Sequence, residues 1–228
     1  MKLKLSFFIF SFILTSQTWG QEVASPQVVN FDIVGFKIRT TYAEVIKRLA
    51  NKNFPYTLKQ EETAIPEKIR FNYDSECRGD GITVPNMIES CIQSKGEASG
   101  WKYVSKMTLV RPLTNENIDI YFTSPQKFNS IYKIVYTNPA PKIIGDSKSF
   151  QYQRDLQMKN FFSSVVDKYG KPNASEDTWK DMSLGEASPT LKYYYGGLVL
   201  QNSSLYAEDI ALCEKAAQAS FKSLPLVF

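Results

Sequence analysis

Two stretches of alternating apolar residues, separated by a short turn, constrain the fold of this chain most. Residues 117–123 (NIDIYFT) place an apolar side chain at every second position, and residues 130–137 read SIYKIVYT. Between them, residues 124–127 (SPQK) have the composition of a turn. Apolar alternation on both sides of such a turn is typical of a β-hairpin. The chain is therefore expected to build an antiparallel sheet.

Helix-capping signals predict two helices. Thr41 and Glu44 have the spacing of a capping box, in which hydroxyl and carboxylate satisfy the free amides at a helix start. Residues 150–169 place apolar side chains at helical spacing. Gly170 follows where a left-handed C-cap belongs, and Pro172 blocks continuation of the helix.

The order of a helix followed by antiparallel strands occurs twice along the chain. A second hairpin is expected over residues 191–201, because Gly196-Gly197 has the pattern of a two-residue turn. The sequence thus predicts an α+β fold, an antiparallel sheet or sheets with helices packed on one face. It comprises two loosely related halves, residues 21–138 and 150–228, which can pack as one domain, and residues 139–149 are the expected linker.

Three local expectations concern the first half. Residues 31–38 are interpreted as a strand, and residues 54–59 and 68–73 as two more strands separated by Pro66. Residues 85–93 are expected to form a short helix.

The first 20 residues have the order of a secretory signal peptide. A basic start, MKLK, precedes an apolar run over residues 5–14, and a polar stretch leads to Gly20. The run of ten residues is about half of what a membrane-spanning helix needs. We expect cleavage after Gly20, hence a periplasmic or secreted protein without a stable membrane span; an uncleaved anchor is the alternative.

The net charge bears on what the protein can bind, and the cysteines bear on which disulfide it forms. Removal of residues 1–20 takes away two lysines and no acid, so the net charge falls from +4 to +2. This charge is too small to indicate nucleic acid as a partner. In an oxidising compartment Cys77 and Cys91 are the favoured disulfide, leaving Cys213 as a buried free thiol. Pairing of Cys213 with either of the others stays open.

The chain contains no histidine. This excludes Ser-His and Cys-His nucleophile pairs, histidine general bases and histidine-ligated zinc. No P-loop or dinucleotide fingerprint is present, and no cofactor or metal is expected. One catalytic alternative remains, a small secreted hydrolase that uses Asp and Glu carboxylates. Another alternative is an enzyme inhibitor that inserts the loop closed by Cys77 and Cys91.

Aromatic residues in the second half are the candidate binding residues. On a strand, Tyr193 and Tyr195 share one face, and together with Trp179 they are expected to form a binding surface, since Tyr and Trp are favoured in interfaces. The alternative is that this face belongs to the core. We therefore expect an exported, non-enzymatic binding protein of the bacterial envelope that recognises an envelope protein or a small ligand across its sheet.

Short motifs resemble the BamE-like (SmpA/OmlA) envelope proteins. Residues 35–45 (GFKIRTTYAEV) are similar to the strand, turn and helix that open that family, and IDIYF followed by IYKIVY is similar to its closing hairpin. Residues 168–172 (KYGKP), followed by Trp179, resemble its helix ending in Gly-x-Pro. The resemblance implies a periplasmic protein-interaction module. The chain departs from the family at residues 53–55 (NFP), where Gly-x-Pro is expected, and it lacks the lipobox cysteine.

Overall fold

The structure is a computed structural model that describes residues 27–112, 114, 116–138 and 147–222. The expected signal peptide, residues 1–20, lies outside the described residues, as do residues 139–146 of the expected linker. Export and cleavage therefore stay predictions. Residues 147–149, the rest of that linker, belong to a helix.

The described residues form α-helices and antiparallel strands. The helices are α1 (Tyr42–Leu49), α2 (Glu67–Gly79), α3 (Pro85–Ala98), α4 (Ser147–Tyr169) and α5 (Ser203–Lys222). The strands are β1 (Asp32–Ile33), β2 (Phe36–Lys37), β3 (Thr57–Ala64), β4 (Tyr103–Arg111), β5 (Glu116–Phe122), β6 (Ile131–Thr137), β7 (Thr178–Lys180), β8 (Thr190–Tyr194) and β9 (Gly197–Gln201). The predicted α+β class, with helices packed against an antiparallel sheet, is confirmed.

Strands β3 to β9 form one seven-stranded antiparallel sheet in the order β3-β4-β5-β6-β9-β8-β7, and β1 pairs with β2 separately. The predicted hairpin of β5 and β6 is present, with Ile120 opposite Ile134. On its other side β6 pairs with β9, where Ile134 lies opposite Leu200. Strands from both predicted halves therefore share one sheet.

One face of the sheet is buried beneath α1 and α4. Ile118 and Ile120 of β5 and Leu200 of β9 are fully buried on this face. Val45 of α1 and Val165 of α4 pack into the same core cluster. The capping box of Thr41 and Glu44 is present at the start of α1, and Gly170, with φ +80°, follows the end of α4. Both predicted helix boundaries arise from local backbone chemistry.

A second, smaller core joins α2, α3 and α5. Its members include Ile69, Ile88 and Ala217. Cys77 and Cys91 form the predicted disulfide, with their Cα atoms 6.2 Å apart, so the bond ties α2 to α3. Cys213 is the free, buried thiol.

The expected strand at residues 68–73 is wrong, because these residues lie in α2. Alternating Ile69, Phe71 and Tyr73 suggested a strand, yet Phe71 is 67% exposed. Ile69, Asn72 and Cys77 face inward instead, which is helical spacing. Pro66 is the N-cap of this helix, immediately before its first turn, a part of a helix where the missing amide of proline removes no bond.

The expected single strand at residues 31–38 is a tight hairpin of β1 and β2. Ile33 lies opposite Phe36, and the two turn residues Val34 and Gly35 have φ of +53° and +83°. Positive φ at both central positions is the geometry of the two-residue turn that matches the strand twist. The strand expected at residues 54–59 begins instead at Thr57 and ends at Ala64. The helix expected at residues 85–93 extends to Ala98.

Candidate functional site

Trp179, one of the three residues predicted to bind a partner, is fully buried. It lies opposite Leu191 on the helix-covered face, and its indole N–H donates a hydrogen bond to the carbonyl oxygen of Gly170, 2.8 Å away. Its ring neighbours Phe162 of α4. Trp179 therefore packs the sheet against α4.

Tyr193 lies in β8, whereas Tyr195 lies in the turn that joins β8 to β9. The ring of Tyr193 packs edge-on against Phe162, and its hydroxyl donates to the carbonyl oxygen of Met158 in α4 at 3.2 Å. Tyr195 is instead 89% exposed and lies in the β8–β9 turn with φ +36°. The structure thus places Trp179 and Tyr193 under α4 and leaves Tyr195 in solvent, so the three do not form one exposed surface.

The opposite face of the sheet includes two neighbouring rows of side chains in which no residue is buried. The first row, in strand order, is Glu62, Lys106, Tyr121, Lys133, Gln201, Thr190 and Lys180. The second row is Gln60, Thr108, Asp119, Val135, Val199, Lys192 and Thr178. We call these two rows the open face.

Lysines outnumber carboxylates on the open face. Lys106 lies between Glu62, 3.4 Å away, and Asp119, 3.5 Å away. Lys133 has its ammonium 5.2 Å from the centre of the Tyr121 ring, and among the described residues no carboxylate lies within ion-pair distance of it. Lys192 lies 3.9 Å from Asp177, which precedes β7, so four lysines face three carboxylates. The remaining surplus of positive charge lies at Lys133 and Lys180, and it favours anionic groups.

A strip of tyrosine rings runs from the open face to α5. The rings of Tyr121 and Tyr132 have centroids 6.2 Å apart, and Tyr132 stacks on Tyr206 of α5 at 4.5 Å. Burial raises the pKa of Tyr132 to about 12, and burial also raises the pKa of Tyr121 against the opposing effect of Lys106. These phenols stay neutral at physiological pH. We call Tyr121, Tyr132 and Tyr206 the tyrosine strip.

The hydrolase alternative requires suitably placed carboxylates, and Glu116 is a carboxylate outside the open face. Glu116 accepts a hydrogen bond from the Tyr56 hydroxyl at 2.5 Å and lies 3.5 Å from the guanidinium of Arg111, contacts that join β5 to its neighbours. Among the described residues, no group of three or more acidic or cysteine side chains could hold a metal ion. The hydrolase alternative stays a prediction.

None of the open-face residues is among those that the sequence predicted to bind a partner. Asp119 and Tyr121 alternate with Ile118, Ile120 and Phe122 in β5, so the pattern shows that they occupy the face opposite the apolar one. That signal was present in the sequence. The pairing of Tyr121 with Lys106 and Lys133 depends on strand register, which no local pattern gives.

Comparisons with known proteins add no assignment to this geometry. Among the described helices, none is both long and apolar enough to cross a bilayer. The resemblance to BamE-like proteins rests on the short motifs of residues 35–45, 118–136 and 168–172. No protein-family model, no curated protein and no solved structure matches the chain.

Proposed function

We propose that this protein is an exported, non-enzymatic binding protein that recognises an acidic polypeptide segment on the open face of its sheet. The observation that carries the proposal is the surplus of lysines on that face, arranged around Tyr121. Lys133 is the central residue, because it faces the ring of Tyr121 and no carboxylate of the described residues neutralises it.

A paired sheet is suited to this role, since its side chains are held at fixed spacing by the backbone. Tyr121 and Val135 offer apolar area between the lysines, and the lysines lie at intervals set by the strands. Aromatic side chains contribute contact area at a small cost in conformational entropy. Carboxylates of a partner segment would meet Lys133 and Lys180, which pair with no carboxylate of the described residues, while its apolar side chains pack on Tyr121.

A polypeptide fits the charge better than a nucleic acid does. Lys106 is already flanked by Glu62 and Asp119, and these carboxylates repel a phosphate backbone. Affinity for nucleic acid comes largely from several phosphate contacts by unpaired cations. A mixed surface of this kind selects separated carboxylates over a continuous polyanion.

The test is the affinity of the purified protein for a 12-residue peptide rich in Glu and Leu, measured by fluorescence anisotropy. We expect Lys133→Glu combined with Lys180→Glu to weaken binding by at least about tenfold, since two attractive charge contacts become repulsive. Lys159→Glu is the control, because Lys159 is exposed on α4, the helix that packs on the opposite face of the sheet. Equal affinity of the double variant and the control would disprove the proposal. A single-stranded oligonucleotide that binds more tightly than the peptide would replace it with a nucleic-acid function.

A further inference from the structure

A recess of about 210 Å³ lies where α5 meets the start of α2 and the start of β4. The tyrosines Tyr103 and Tyr206 line it together with Ile65 and Ile210. Asp209, a residue that is only 4% exposed, also lines it. A partly open recess that combines aromatic and aliphatic walls with a few charged groups has the form of a small-molecule site.

Asp209 is a buried carboxylate without a cationic partner. Its two oxygens accept hydrogen bonds from the Ser124 amide at 2.8 Å and from the Ser124 hydroxyl at 2.6 Å. No Lys or Arg among the described residues lies within ion-pair distance of it. Buried charges in proteins are normally paired, and neutral donors satisfy the oxygens without compensating the charge.

The other ionisable groups of the recess make its charge negative. Glu67 and Glu214 also line it, and Lys68 is the cation among its lining residues. Burial, followed by the field of Asp209, raises the pKa of Tyr103, which agrees with a negative potential inside. The recess therefore combines three carboxylates with one ammonium group.

The rings of Tyr103 and Tyr206 specify the kind of cation. Aromatic faces attract ammonium groups, most strongly when water is excluded, and tyrosines around a carboxylate are suited to alkylammonium ions. A metal ion would need several converging oxygen ligands, whereas both oxygens of Asp209 are already engaged by Ser124. We propose that this recess binds a small alkylammonium compound, with its cationic head beside Asp209 and its methyl or methylene groups against the two tyrosine rings. Tyr206 also stacks on Tyr132 of the tyrosine strip, but the proposal does not rest on binding at the open face.

The experiment compares choline with 3,3-dimethylbutan-1-ol, which has the same shape and no charge. Binding of each to the purified protein is followed by NMR titration of the tyrosine ring signals. We expect choline to bind at least about tenfold more tightly than the neutral compound. Equal affinity of the two compounds, or binding of neither, overturns the proposal.

Variants locate the site without disturbing Asp209, whose replacement risks unfolding. Glu67→Gln combined with Glu214→Gln removes two charges from the recess, and we expect it to weaken choline binding several-fold. Tyr206→Leu keeps an apolar side chain and removes the ring, with about tenfold weaker binding expected. The control is Glu208→Gln, because Glu208 faces Lys127 at 2.7 Å outside the recess. An unchanged affinity in Glu67→Gln/Glu214→Gln, or an equal loss in the control, overturns the assignment.

Discussion

Gly96 of α3 lies directly against the side chain of Ile65, which follows β3. A Cβ atom at position 96 would stand 2.9 Å from Cγ1 of Ile65 and closer still to its Cδ1. Real Cβ atoms essentially never approach other heavy atoms this closely. The absence of a side chain at residue 96 is therefore what lets α3 pack against the end of β3 in the smaller core.

The first prediction concerns this contact. Gly96→Ala should lower the free energy of unfolding by about 1–3 kcal/mol through overpacking, although alanine is the better helix former. Ile65→Val removes Cδ1 and should recover part of the loss in the double variant. Gly79→Ala in α2 is the control, because nothing lies within 4 Å of its Cβ position, and it should leave stability equal or slightly higher. Urea denaturation measures all four proteins; a neutral Gly96→Ala would contradict the packing described.

The second prediction concerns the disulfide. Cys77 and Cys91 are 14 residues apart, and closing a loop of this length contributes about 3 kcal/mol to stability. Replacing both by serine should lower the free energy of unfolding by about that amount. The reduced native protein should match the variant, while the variant itself should not respond to reductant. Sensitivity of the variant to reductant would show that the bond is not the source of the effect.

The third prediction concerns Asp209 and Ser124. Asp209→Ala leaves the buried amide and hydroxyl of Ser124 without an acceptor, so we expect a loss of about 2–4 kcal/mol. Ser124→Ala should cost less, because the amide still donates to the carboxylate. In the double variant the loss of stability should be smaller than the sum of the two single losses, as is usual for residues in contact. Strict additivity in chemical denaturation would show that the two residues do not interact.

The fourth prediction concerns pH. Hydrogen bonding to Arg70 lowers the pKa of Glu89 from 4.5 to about 2, so the carboxylate stabilises the fold fully above pH 4.5. That contribution is lost as the pH falls towards 2. Because the Glu89 side chain is 46% exposed, Glu89→Gln should cost only about 0.5 kcal/mol at pH 7. The difference between the two proteins should become small near pH 2 and vanish below it; a difference that grows in acid would contradict this assignment.

The fifth prediction separates Trp179 from Tyr195, two of the three aromatic residues that the sequence grouped together. Trp179→Phe removes the hydrogen bond to Gly170 and part of the core volume, and it should cost about 1–3 kcal/mol. Tyr195→Gly should leave stability unchanged or raise it by up to about 1 kcal/mol, because φ +36° suits glycine. Thermal unfolding of both variants is the measurement. Comparable losses in the two would show that Tyr195 also packs in the core.

Signals that depend on a few neighbouring residues predicted their part of the fold. The capping box of Thr41 and Glu44, the hairpin of β5 and β6, the end of α4 at Gly170 and the Cys77–Cys91 bond are all of this kind. Residues 68–73 misled because Ile69 and Tyr73, four positions apart, lie on the same side of a helix, and Phe71 between them is left exposed.

The site required knowledge that neighbouring residues do not carry. Alternation shows that Tyr193 and Tyr195 point the same way while they stay in a strand, but not which face a helix will cover. The placement of α4 over Trp179 decided that question. Likewise, Lys106 and Lys133 meet Tyr121 only because β4, β5 and β6 pair in one particular register.

The pairing of β6 with β9 also has a consequence for how the chain reaches its native state. Ile134 pairs with Leu200, which lies 66 positions later in the chain, so the middle of the sheet stays incomplete until these distant segments meet. Until then β6 exposes an unpaired edge of the kind that invites contact between chains, and contacts so distant along the sequence slow folding. A chain interrupted after Thr137 would thus hold four of the seven strands with β6 unpaired on one side, and β7 to β9 later cover that edge.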